Sequence, residues 1–324
     1  EAIDMEPSYT PAYFGKAAVC QVLRRYGEFF DCMNHVVKDV NVNPEAKAEY
    51  VSHLLESPQF VRTFTSDMDT LMLNLRDTHP ADSTVSLLLS GYYYNTGRPY
   101  FSAQILQDNM ERYPESFDAA MQYMILLYYQ QSWAALEEKS TVAIQRFPQT
   151  ADFLQMRAIA ETQQEKYQPA IEDYNRILKL NPKDTTVRKV TYSSLGDVYH
   201  MAGDPSNAYK CYEKALKVDP GYNPVLNNYA YYLSLEGRKL KKAKEMSHKT
   251  IVAEPDNPTY LDTYAWILHL MGDDIEAKAI FKHAMLYGGK EEATILEHYA
   301  TVLEALGERD LAKIYFNQAK AKQQ

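Results

Sequence analysis

The residues able to do chemistry in this chain are plentiful but scattered. Eight histidines and three cysteines occur among 324 residues. No HExxH, GxSxG, GxGxxG or phosphate-loop pattern ties them to a carboxylate, a serine or a glycine turn. Gly288-Gly289-Lys290 matches a phosphate loop only in part, because the upstream glycine and the following Ser or Thr are missing. A helix stop is the simpler reading there. Asp67 and Asp69 stand two apart, which on a helix turns them to different faces and spoils them for paired acid–base work. His200 and His269 recur at one helical phase, but a whole repeat separates them, too far for one metal ion to bridge. His298, beside Glu297, reads as a polar contact. Cys20, Cys32 and Cys211 fall at no CxxC or metal-ligand spacing, and their odd number makes no disulfide framework. Small buried packing residues are expected at all three. With no nucleophile–base set, no metal and no cofactor expected, the chain reads as a binding protein and not as an enzyme.

Composition narrows the class of partner. A 46% hydrophobic and 24% charged chain suits a folded protein. Its formal net charge of −9 argues against a nucleic-acid backbone as partner, since such binders carry a basic face. One basic cluster, Arg238, Lys239, Lys241, Lys242 and Lys244, is read as a solvated turn between two helices. No apolar run of about 18 residues occurs, so no membrane-spanning helix is expected. Glu1 to Pro7 reads as the tail of a helix begun upstream, which predicts a truncated first repeat with Ile3 and Met5 under-covered.

The elements that must position any binding surface are repeated helices. Pro80, Pro114, Pro148, Pro182, Pro220 and Pro255 close apolar helical segments at intervals of 34, 34, 34, 38 and 35 residues, and Gly289 follows 34 later. A fixed period near 34 marks stacked helix–turn–helix units. A second series keeps the same register: Ser90, Met124, Ala158, Gly196, Ala230, Ala265 and Ala300. Twelve or thirteen residues after each comes Ser102, Leu136, Ala170, Ala208, Ala243, Ala277 or Ala312. Most are small, as two helices crossing closely require. Gly97, Gly203, Gly237, Gly272 and Gly307 fall in the turns between them.

At these residues the sequence resembles the tetratricopeptide repeat. Tyr192, Leu195, Gly196, Tyr199, Ala208, Tyr212, Ala215 and Pro220 stand where that repeat expects Trp, Leu, Gly, Tyr, Ala, an aromatic, Ala and Pro. The resemblance implies an all-α, right-handed superhelical solenoid of about nine hairpins. Residues 1–44 read as one degenerate repeat marked by Tyr26 and Pro44, and 45–82 as an atypical helical hairpin. Residues 83–188 read as three divergent repeats and 189–324 as four well-matched ones, in one continuous solenoid. The 38-residue step adds four residues near Lys183 to Thr191, close to one helical turn, so one lengthened helix is expected without loss of phase.

Leu226-Asn-Asn-Tyr-Ala-Tyr-Tyr-Leu233 and Tyr260-Leu-Asp-Thr-Tyr-Ala-Trp-Ile-Leu268 are similar to a pair recurrent in bacterial cell-envelope tetratricopeptide lipoproteins. That likeness implies a lipid-anchored interaction platform on the periplasmic side of a membrane. In the family, the first helix of each hairpin lines the concave surface. Positions three before and one or four after each small residue should then face the groove. Among them the candidate ligand-binding residues are Tyr94, Tyr128, Asp197, His200, Asn227, Tyr231, Asp262, Trp266, His269 and Glu297. Aromatics supply contact area at low entropy cost, and the acids favour a basic partner. The carboxylate clamp of heat-shock adaptors is not expected, because Ser193, Asp197, Asn227 and Asn228 stand where its cations would. The leading expectation is a non-catalytic protein-interaction scaffold holding an extended peptide or a partner helix, basic or aromatic-rich. Glycan or cell-wall-fragment binding through the groove aromatics is the alternative, and a structural spacer a third.

Overall fold

Helix starts in this chain are written by Asn, Asp and Ser. The side chains of Asn43, Ser57, Asp82, Ser116, Asp184, Asp204 and Asn257 each accept from a backbone N–H of the first turn, which no carbonyl of the helix itself can satisfy. Helix ends are equally local. Pro80, Pro114, Pro148, Pro182, Pro220 and Pro255 each lie two residues beyond a helix. Between these signals the chain is helical, and no strand occurs among the described residues, 2–237 and 239–322 of the computed structural model.

Two compact units form, residues 1–156 and 157–324. Unit 1 holds α1 (Ala2–Met5), α2 (Thr10–Val22), α3 (Tyr26–Lys38), α4 (Pro44–Leu55), α5 (Pro58–Thr63), α6 (Thr65–Thr78), α7 (Ser83–Asn95), α8 (Pro99–Arg112), α9 (Phe117–Tyr129) and α10 (Trp133–Arg146). The division falls inside α11 (Ala151–Gln163). Unit 2 continues with α12 (Tyr167–Leu180), α13 (Thr185–Met201), α14 (Pro205–Val218), α15 (Asn223–Leu235), α16 (Leu240–Ala253), α17 (Pro258–Leu270), α18 (Asp274–Leu286), α19 (Ala293–Ala305) and α20 (Arg309–Lys322). Consecutive helices pack as hairpins, among them α2 with α3, α7 with α8, α13 with α14, α15 with α16, α17 with α18 and α19 with α20.

Both series of small positions are buried, from the Ser90 and Ser102 pair, whose hydroxyls meet at 2.9 Å, to Ala300 and Ala312. The lengthened helix is α13, with 17 residues where α11, α15, α17 and α19 have 13. The turn glycines 97, 203, 237, 272 and 307 all have positive φ. Turns without glycine make the same bend with Arg24, Gln131 and Glu165, at φ between 54° and 60°. All three cysteines are buried and free.

Three expectations need correcting. Pro44 does not close a repeat; it opens α4 behind the Asn43 cap. The segment 45–82 is not a two-helix hairpin, because α5 is added between α4 and α6, started by the Ser57 cap and Pro58. Phe60 and Phe64 of α5 and its boundary lie against Phe30, with ring centroids 6.0 and 5.7 Å away, so the extra helix closes the aromatic core of unit 1. Of the basic cluster, Arg238 lies outside the described residues. Lys242 and Lys244 are not simply solvated, since their ammonium groups lie over the rings of Tyr229 and Tyr264 at 4.6 and 5.9 Å.

Unit 1 also buries a cation. Lys47 is fully buried, and its ammonium donates to the carbonyls of Val37 at 3.0 Å and Asp39 at 2.5 Å and to His79 Nε2 at 2.7 Å. His79 accepts that bond only as the neutral ring. Burial, and next the Lys47 charge, hold its pKa below the ordinary 6.5. Between the folded value and 6.5 the unfolded chain therefore binds more protons, so stability rises with pH across that window and falls on acidification through it. The urea midpoint of unit 1 is expected to drop between pH 7.5 and 5, with roughly half that slope in His79→Gln, whose amide oxygen still accepts from Lys47. An unchanged slope in the variant would remove His79 from the account.

Candidate binding cleft

The first helices of the last hairpins place their polar residues side by side in unit 2. An open cleft of about 310 Å³ lies among α15, α17 and the start of α19. Asn227, Tyr231 and Tyr232 come from α15, Asp262 and Thr263 from α17, and Glu292 and Ile295 from the third side. Asn227, Tyr231 and Asp262 are thus brought together, as their helical phase implies. Asn227 and Asp262 form the floor rather than an open face, at 5% and 6% exposure.

His298 is the hub beside the cleft. Its Nδ1 is 2.9 Å from Asp262 Oδ1, and its ring stacks on Trp266 at 4.1 Å and 18°. Tyr231 stands 6.4 Å from the same ring, and His269 5.1 Å from Trp266. The Trp266 indole N–H is buried without a partner. His269 is otherwise tied to its own hairpin, with Nδ1 2.6 Å from Asp274 Oδ1, and Glu297 is exposed.

One repeat earlier, Asp197 receives the hydroxyl of Tyr212 at 2.6 Å and the amide of Asn228 at 3.0 Å. Burial nevertheless pushes the Asp197 carboxyl above the usual carboxylate range, against the pull of those two donors. Burial, and then the Asp197 charge, push the Tyr212 hydroxyl up as well and Tyr232 up to about 12. His200 stacks on Tyr232 at 3.5 Å, and burial lowers its pKa. Tyr94 and Tyr128 lie in unit 1, both exposed, with Tyr128 edge-on to Trp133 at 5.9 Å.

The helical-phase argument passes over His298 and Asn228. Both stand two residues before a small position, Ala300 and Ala230, where the side chain reaches back to an acid of an earlier repeat. A search for His or Asn at that offset would have found them. It also passes over a cleft of about 770 Å³ in unit 1, lined by Leu55, Arg62, Tyr92 and Arg98. There Arg98 is paired with Asp69 at 2.8 Å and lies over the Tyr92 and Tyr93 rings. Among the described residues no helix is long and apolar enough to cross a membrane.

Family models described as tetratricopeptide repeat match residues 151–184 and 190–222. Solved structures share the fold. A tetratricopeptide repeat protein from Parabacteroides merdae is similar at 16% identity and TM-score 0.59, over 74% of this chain and 93% of that one. A chain of the APC/C hetero-tetramer Cut9–Hcn1 is similar at 14% and 0.54, over 94% of this chain and 65% of its own length. PilF of Pseudomonas aeruginosa is similar at 20% and 0.52, over 63% and 90%. No curated protein matches in sequence. The chain therefore carries tetratricopeptide repeats in an all-α solenoid of helical hairpins, a fold that generally scaffolds protein–protein interaction and is typically non-catalytic.

Proposed function

We propose that this protein is an interaction scaffold that holds an extended peptide or a partner helix, basic in character, in the unit 2 cleft. The observation that carries this reading is the chemistry of the lining. Asn227, Asp262 and Glu292 offer acceptors and negative charge beside Tyr231, and among the described residues neither Lys nor Arg lines the cleft. Such a surface attracts cationic side chains and rejects acidic ones.

The test is an array of random peptides probed with wild type and with a Tyr231→Ala/Asp262→Ala/Trp266→Ala variant that keeps its helical melt. Wild type is expected to select basic peptides, and the variant to lose more than about tenfold in affinity. Raising salt from 50 to 500 mM should weaken selection severalfold, because Glu292 is exposed and its charge is screened. Equal binding by both proteins would place the site elsewhere.

Glycan binding has less to stand on. Sugars stack on bare aromatic faces, whereas one face of Trp266 is taken by His298 and the Tyr232 ring by His200. We further propose the cell-envelope address that the likeness of the Leu226–Leu233 and Tyr260–Leu268 segments implies. Recovery of the native protein in the membrane fraction, released by detergent and not by salt, is the outcome that supports it.

A further inference from the structure

The larger cleft lies in unit 1, and its charge is opposite to that of the unit 2 cleft. It measures about 770 Å³, within the range of clefts that hold a ligand. The helix that an ordinary hairpin lacks, α5, supplies an apolar side. Pro58, Val61 and Arg62 stand at i, i+3 and i+4 and so share a face, with Leu55 at the end of α4 beside them. The turn from α7 into α8 adds Arg98. Two arginines and no acid line this cleft among the described residues. Arg98 is committed, through Nη2 to Asp69 at 2.8 Å and through Nε to Thr96 at 3.1 Å. Arg62 is not: it is exposed, and its guanidinium makes no ion pair or hydrogen bond among the described residues. The chain has 43 Asp and Glu to 34 Lys and Arg, yet none of those described acids is spent on Arg62.

We propose that this cleft takes an acidic segment of a protein partner, one Glu or Asp beside a branched apolar residue. The carboxylate accepts two parallel N–H bonds from Arg62, whose planar fork matches its two oxygens. The apolar neighbour lies against Leu55, Pro58 and Val61 and removes that surface from water. A basic segment is repelled here, and an acidic one is repelled at the unit 2 cleft, so the two clefts select different segments. They share no residue, so a substitution can remove either without the other.

The experiment uses the full chain and an array of heptapeptides, acetylated and amidated so that their ends carry no charge. Wild type is probed beside Arg62→Met, which keeps an unbranched stem, loses the charge and, at an exposed position, should leave the thermal midpoint unchanged. Wild type is expected to enrich peptides with an acid next to Leu, Ile or Val, and Arg62→Met to lose that enrichment. The best acidic sequence is then titrated by calorimetry. Its affinity should fall at least about tenfold with Gln in place of the acid, and about tenfold in Arg62→Met. Arg62→Lys should lose severalfold, because an ammonium cannot make the paired bonds. The Tyr231→Ala/Asp262→Ala/Trp266→Ala variant should keep the acidic selection, and Arg62→Met the basic one. No acidic enrichment by wild type, or equal enrichment by Arg62→Met, overturns this site whatever the unit 2 cleft does. Octanoate binding as tightly as the peptide also overturns it, since a fatty carboxylate would then be the occupant. Acidic selection without basic selection supports this site and removes the unit 2 reading.

Discussion

Replacing Arg157 with methionine is expected to destabilise unit 2 by about 3–5 kcal/mol, the cost of stranding buried charge. The guanidinium donates to both oxygens of Asp173 through Nε and Nη2, each at 2.7 Å, and its Nε lies 3.7 Å from Glu161. Both acids are only 7% exposed, so water cannot replace the lost cation. The Asp173 carboxylate then stays charged in a low-dielectric interior without that cation. For a unit of this size the melting midpoint should fall by roughly 10 °C. Adding Asp173→Asn removes the stranded charge and should return most of the loss. Calorimetry of the single and double variants checks both statements. A loss below about 1 kcal/mol in Arg157→Met would class the network with exposed surface pairs and end this reading.

Gly196→Ala should destabilise unit 2 by up to about 2 kcal/mol, although alanine is the better helix former by about 1 kcal/mol. Gly196 lies inside α13, so its backbone needs no glycine. The reason is contact. A Cβ there would stand closer than 3.0 Å to three carbons of the Tyr212 ring. That ring cannot retreat, being fully buried and held by its hydroxyl on Asp197 at 2.6 Å. The overpacking cost of about 1–3 kcal/mol or more should therefore outweigh the propensity gain. Tyr212→Leu in the same chain clears the space and should make the alanine nearly neutral. Urea unfolding of the two single variants and the double variant measures this coupling. Additive losses would mean that helix and ring adjust independently.

How much of this was legible in the sequence depends on whether a feature lives within one repeat or between repeats. Helix ends and the close crossings at Ala230/Ala243 or Ala265/Ala277 are local. Capping oxygens, prolines and small residues act within a few positions or across one hairpin, so their spacing is sufficient. The added turn of α13 follows from the same arithmetic, because four extra residues keep a helical face in phase. The Gln131 and Glu165 turns were not legible. Neither residue favours left-handed backbone, and the bend is imposed by the helices on either side.

The candidate site divides along the same line. Helical phase is a property of one chain segment, and it brought Asn227, Tyr231 and Asp262 to one cleft. It could not say which were covered, because burial depends on how far the next hairpin is rotated. That rotation set His298 between Asp262 and Trp266, joined Asn228 to Asp197 across 31 residues, and left the Asn227 oxygen bare. The sequence by itself determined the repeat, its helices and the face each helix buries, since these follow from near-neighbour sterics and periodic hydrophobicity. Only the tertiary structure decided which polar groups meet, because a reach of a few ångströms between hairpins depends on packing angles that no single repeat encodes.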